Sequence, residues 1–216
     1  MDSVERLKRD GYSTLLFCMA KRIGNVTESN GVSQSVNVMN ATVLNAVPGG
    51  EINTAVCSAD LERLSLHLTC ITIKSCKDYA SEVLDFSRFT ELKELKIENG
   101  CFDYPSKVRI EGMKHLKRVA IGSGCFTGTS RDSELVVKDC PELKELVIGT
   151  NSFPSFTSFY LGGLPRLKSL LMGNDCFKGA SFTIRKMESI ETIQLGTCCF
   201  EKSLHTVIEG SVKGIG

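Results

Sequence analysis

From Leu92 onward, apolar positions return along the chain with one internal spacing. LKELKIENGCF begins at Leu92, LKRVAIGSGCF at Leu116, LKELVIGTNSF at Leu143, LKSLLMGNDCF at Leu167 and IETIQLGTCCF at Ile190. The starts are 24, 27, 24 and 23 residues apart, and a fainter copy, LTCITIKSCKDY, begins at Leu68, a further 24 residues upstream. Five copies at near-constant spacing define a repeat protein. Within each unit, positions 1, 4, 6 and 11 are apolar and position 9 is small or polar: Gly100, Gly124, Asn151, Asp175 and Cys198. The stretch Leu146-Val147-Ile148 alternates with period two. It predicts a short strand with Leu146 and Ile148 pointing inward and Val147 outward.

Position 11 is always phenylalanine, at Phe102, Phe126, Phe153, Phe177 and Phe200. Stacked units place these rings in one column through the core. The residue after the strand is Gly122, Gly149, Gly173 or Gly196 in four copies, which predicts a turn with a backbone angle most residues resist. A second alternating segment follows each phenylalanine: Val108-Arg109-Ile110, Leu135-Val136-Val137, Phe159-Tyr160-Leu161 and Phe182-Thr183-Ile184, with an earlier member at Leu84-Asp85-Phe86. A helix needs ten or so residues of 3.6 periodicity, for which there is no room. The expected fold is therefore a mainly β solenoid of about 24 residues per turn with two short parallel strands in each. The longest unit carries its extra residues in TGTSRDSE, 127 to 134, which reads as a loop insertion.

The spacing of leucines, with a polar or small residue at position 9 and an apolar one at 11, is the leucine-rich-repeat pattern. Ile148-Gly149-x-x-x-Phe153, repeated from Ile121-Gly122 and Leu195-Gly196, resembles the IGxxAF signature of BspA-type leucine-rich repeats, found in bacterial and protist proteins, many of them surface-exposed. The resemblance covers roughly 68 to 213; the chain departs from it in the cysteine or serine before the phenylalanine and in lacking Ile-Pro after the strand. It implies partner binding rather than catalysis.

Residues 1 to 60 do not follow the repeat and are expected to form a divergent N-terminal cap, with short helices at 4–10 and 13–23, the second closed by Gly24. Val36-Asn37-Val38 and Leu61-x-x-Leu64-x-Leu66 read as worn-down repeats or strands, and 61–216 as the solenoid. At the other end SLHTVIEGSVKGIG holds a second strand near Ile208 and then no polar capping helix. Either the natural chain continues, or this edge makes an end-to-end contact with a partner.

Composition narrows the function. With 42% hydrophobic residues, 24% charged and a net charge of +1, the chain is ordinary globular protein and offers nucleic acid no attracting field. No apolar run reaches the roughly 20 residues of a membrane span. The N-terminus lacks the basic start and small-residue cleavage site of a secretory signal. Ten cysteines without such a signal read as reduced thiols, which favours the cytoplasm, with the cell surface as the alternative if the chain is a fragment.

Motifs for nucleotide, phosphate, zinc or triad chemistry are absent, and His67, His115 and His205 stand at unrelated repeat positions. The expectation is a non-enzymatic module without cofactor or metal. Position 10 carries Cys101, Cys125, Ser152, Cys176 and Cys199; it reads as a place where a small, weakly polar residue fits the turn, with redox pairing of Cys101 with Cys125, or Cys176 with Cys199, as the geometrically conceivable alternative. Position 2 carries Lys93, Lys117, Lys144 and Lys168, read as solvated lysines with an anionic partner as the sharper alternative. The outward position 5 runs Lys96, Ala120, Val147, Leu171, Gln194, flanked by Arg118 and Glu145 among others. Those seven residues are the candidate contact surface for a protein partner, an exposed apolar patch in a polar rim. The alternatives are a fragment of an adhesive surface protein, or the repeat region of a larger enzyme or regulator.

Overall fold

Alternating short strands with one apolar face can bury that face only by stacking turn upon turn. The computed structural model, which describes residues 53–56, 64–74, 76, 81–128, 130–203 and 205–209, does this. Its strands are β1 (Asn53–Val56), β2 (Cys70–Ile73), β3 (Val83–Asp85), β4 (Glu94–Ile97), β5 (Lys107–Glu111), β6 (Arg118–Ile121), β7 (Glu134–Lys138), β8 (Glu145–Ile148), β9 (Ser158–Gly162), β10 (Ser169–Met172), β11 (Ser181–Arg185), β12 (Thr192–Leu195) and β13 (Thr206–Glu209). From β2 onward they alternate between two parallel sheets, ordered β1-β2-β4-β6-β8-β10-β12 and β3-β5-β7-β9-β11-β13. The result is a parallel β-solenoid of about six turns with about 24 residues per turn and no helix among the described residues.

Register is exact from turn to turn. Leu95, Val119, Leu146, Leu170 and Ile193 face one another across the first sheet, as do Ile97, Ile121, Ile148, Met172 and Leu195. In the second sheet Val108, Leu135, Phe159 and Phe182 align, and so do Ile110, Val137, Leu161 and Ile184. All of these but Ile193 and Leu195, in the last turn, are buried, and those two pack partly against the same core. A slip of one residue would turn every such side chain to solvent, so the apolar alternation locks the register. The insertion falls where the sequence places it, since β7 starts eight residues after Phe126 but β5 and β9 start five after Phe102 and Phe153.

β1 lies within the segment read as a cap and pairs in register with β2, so the first sheet begins upstream of residue 61. The predicted helices at 4–10 and 13–23 and the Val36 fragment lie outside the described residues, as do residues 211–216. The glycines after the strands differ from the expectation. Gly122, Gly149, Gly173 and Gly196 do not hold positive φ; a Cβ on each would sit 2.4–2.5 Å from an atom of the preceding turn, backbone in three cases and Asn99 Oδ1 for Gly122. They are glycine because successive turns approach there too closely for a side chain.

The left-handed backbone sits two and four residues further on. Gly100, Gly124, Asn151, Asp175 and Cys198 have φ between 55 and 66°, and the phenylalanines Phe102, Phe126, Phe153, Phe177 and Phe200 have φ between 51 and 63°. Between them these residues let the corner donate both ways along the solenoid. Gly124 and Asn151 N–H groups donate forward to Thr150 and Asn174 carbonyls at 2.9 and 2.8 Å, while Phe126 and Phe153 donate backward to Cys101 and Cys125 at 3.0 and 2.9 Å. Backbone donors that a sharp corner would orphan are thereby satisfied.

Candidate interaction face

Period-two alternation that buries positions 4 and 6 presents positions 3 and 5 on the outer face of the first sheet. Parallel register then builds rows running along the solenoid. One row is Lys96, Ala120, Val147, Leu171 and Gln194; beside it runs Glu94, Arg118, Glu145, Ser169 and Thr192. All seven sequence-predicted contact residues therefore lie on one face.

Their exposure is not what the sequence suggested. Lys96, Ala120, Leu171 and Gln194 are half-buried, but Val147 is only 4% exposed. Val147 lies in register between Ala120 and Leu171. Val147 is the floor of the apolar row and not a protruding anchor. Leu171 and Ala120 supply what apolar surface the row exposes.

The adjoining row is neutralised internally. Arg118 Nε lies 3.0 Å from Glu145 Oε2 and Arg118 Nη1 lies 3.7 Å from Glu94 Oε1, so one guanidinium bridges carboxylates on both flanking strands. Among the described residues, the enclosed side-chain polar atoms without an aligned hydrogen bond are Arg118 Nε, despite its carboxylate neighbour, and Gln194 Oε1. Both are on this face. Enclosed polar atoms lacking a partner are uncommon enough in folded proteins to need a reason.

The lysines of position 2 form a real row, since Lys117, Lys144 and Lys168 N–H groups donate to the carbonyls of Lys93, Lys117 and Lys144 at 2.8, 2.9 and 2.9 Å. Their side chains are exposed, and Lys168 ends the row against Glu191 at 2.9 Å. The neighbouring Glu142 is held by Arg166 at 2.6 and 2.7 Å.

The position 10 column faces inward. Ser152 Oγ donates to the Gly122 carbonyl at 2.8 Å, Cys125 Sγ to Glu98 at 3.1 Å, Cys176 Sγ to Gly149 at 3.1 Å and Cys199 Sγ to Gly173 at 3.0 Å. Each side chain thus caps a carbonyl near the end of the preceding turn's strand, which explains why a small donor recurs there. Cys125, Cys140, Cys176, Cys198 and Cys199 are free thiols, and all residues of this column are buried. Burial pushes the Cys125 thiol up to about 11, and Cys140, below the other corner, likewise to about 11. Such thiols are inert at neutral pH. The histidines His67, His115 and His205 are exposed, away from this buried column, and His115 Nε2 stands 3.9 Å from Glu91. No group of His, Cys, Asp and Glu that could hold a metal exists among the described residues, which also contain no helix long and apolar enough to cross a membrane.

No protein-family model, curated protein or solved structure matches this chain.

Proposed function

We propose that this chain is a non-catalytic interaction module of the leucine-rich-repeat kind, related to BspA-type repeats, and that it docks a protein partner on the outer face of its first sheet. The observation that carries the reading is the coincidence on one face of a continuous apolar row, Ala120, Val147 and Leu171, with the enclosed, unaligned atoms Arg118 Nε and Gln194 Oε1. A protein surface laid over that row would bury Leu171 and meet the polar residues beside it, the mixture of apolar centre and polar rim that contact sites use. Opposite the face, the second sheet presents a different surface, with ion pairs Arg109–Glu134 at 3.6 Å, Lys138–Glu111 at 3.1 Å and Arg185–Glu209 at 3.2 Å.

The test compares partner capture by the wild type, an Ala120→Arg/Leu171→Lys variant and an Arg109→Glu/Thr183→Lys control on the second sheet. Val147 is left intact, because a charge at a residue 4% exposed would perturb the fold itself. Loss of the partner in the first variant alone supports the proposal. Retention in that variant, with unchanged thermal unfolding, overturns it.

A further inference from the structure

Ser152 interrupts the inward thiol column, leaving Cys176 and Cys199 adjacent in the last two described turns. They occupy equivalent places on successive turns: the Phe200 N–H donates back to the Cys176 carbonyl at 3.4 Å, and strands β10 and β12 pair in register just before them. Neighbouring parallel strands stand about 4.8 Å apart, inside the roughly 4.4–6.8 Å between Cα atoms that a disulfide spans. Their thiols donate to the Gly149 and Gly173 carbonyls at 3.1 and 3.0 Å, and the two sulfurs are close enough to influence each other's ionisation. Every residue of β12, the strand just before Cys199, is half-buried, where β4, β6 and β10 alternate buried with half-buried.

We propose that Cys176 and Cys199 are an oxidisable pair, a modification site at which a small disulfide oxidant, such as oxidised glutathione, closes a covalent staple between successive turns. Cys199 thiolate attacks the oxidant RSSR, forming a mixed disulfide and releasing one RS⁻. The Cys176 sulfur, its proton passed to solvent, then attacks Cys199 Sγ, forming the Sγ–Sγ bond and expelling the second RS⁻. Two thiols are oxidised and one disulfide is reduced to two RSH. The order follows from the influence of each thiol on the other, which holds the Cys199 thiol below its ordinary value and Cys176 above it. Burial opposes attack, so the reaction runs through local opening of the turn that carries Cys199, and closing the bond then suppresses that opening.

The full chain is incubated with oxidised glutathione and its cross-links are mapped by peptide mass. A Cys176–Cys199 link is expected, with hydrogen exchange across β12 slowed about tenfold or more relative to the reduced protein. Cys199→Ser removes both effects while keeping the fold, because Ser152 already makes the equivalent carbonyl bond. Cys198→Ser, changing the exposed neighbour, leaves the link in place. Absence of that link in the wild type, or its replacement by one through Cys198, overturns the proposal.

Discussion

The ring of Phe153 stacks on that of Phe126 with centroids 4.5 Å apart and planes 8° from parallel, while both residues hold positive φ, 55 and 57°. Left-handed backbone at a side-chain-bearing residue costs roughly 1–2 kcal/mol, and here it recurs at Phe102, Phe126, Phe153, Phe177 and Phe200. The column offsets it: Phe153 stacks on Phe177 at 4.8 Å, Phe177 on Phe200 at 5.6 Å and Phe126 on Phe102 at 5.1 Å. Phe153 also meets Phe156 edge-on at 4.8 Å. Phe153→Ala is expected to cost about 3–5 kcal/mol in urea unfolding. Phe153→Leu retains most of the volume but not the stack, and is expected to fall well below that cost.

The glycines divide into two kinds that a pair of variants separates. A methyl at Gly149 would lie 2.5 Å from the Gly122 carbonyl carbon and Ser123 nitrogen, so neighbouring turns must part. A methyl at Gly124 meets nothing within 4 Å and suffers only its φ of 64°. Gly149→Ala is expected to cost about 2–3 kcal/mol or more, and Gly124→Ala about 1 kcal/mol. Equal losses in denaturant titrations would count against the close-approach account.

Alkaline pH should unfold the protein through its buried thiols. Cys125 and Cys140 titrate at about 11 when folded against 9.0 ordinarily, for which burial is the first cause. Between those values the unfolded chain has already lost protons that the folded chain retains. Stability is therefore full below about pH 9 and falls as pH rises toward 11, by on the order of 2–3 kcal/mol per thiol. Urea midpoints measured from pH 8 to 11 should decline less steeply in Cys125→Ser than in the wild type; parallel declines would refute the assignment.

The Glu94–Arg118–Glu145 bridge should matter little to stability. Its groups are about one-third exposed or more, where ion pairs contribute roughly 0–1 kcal/mol and are screened by salt. Arg118→Gln is expected to lower the urea midpoint slightly at low ionic strength and hardly at all at high. A large loss at both would mean that the side chain supports the fold by packing instead.

Much of the candidate face could be read from repeat positions, because period two assigns a side and period 24 assigns a row. Lys96, Ala120, Val147, Leu171 and Gln194 fall in one line for that reason alone. How far each protrudes could not be read so. Val147 looks outward, yet its exposure depends on strands brought beside it from residues more than twenty positions away. The ion pairs of Arg118 to both flanking strands were invisible for the same cause. At the corners, Gly, Asn and Asp at position 9 did carry a signal for left-handed backbone, one obscured by the more conspicuous glycines at position 7.

The sequence by itself determined the turn length, the two strands per turn, the inward residues and the phenylalanine column. Each follows from local periodicity and from the requirement that every unit bury the same stripe. Only the tertiary structure decided why position 7 is glycine, that Phe102 to Phe200 bend the backbone left-handed, and that the thiols cap carbonyls of the turn before. Those features arise between turns, where backbone meets backbone across some 24 residues of chain. A pattern that repeats along the chain cannot by itself express the distance between its copies.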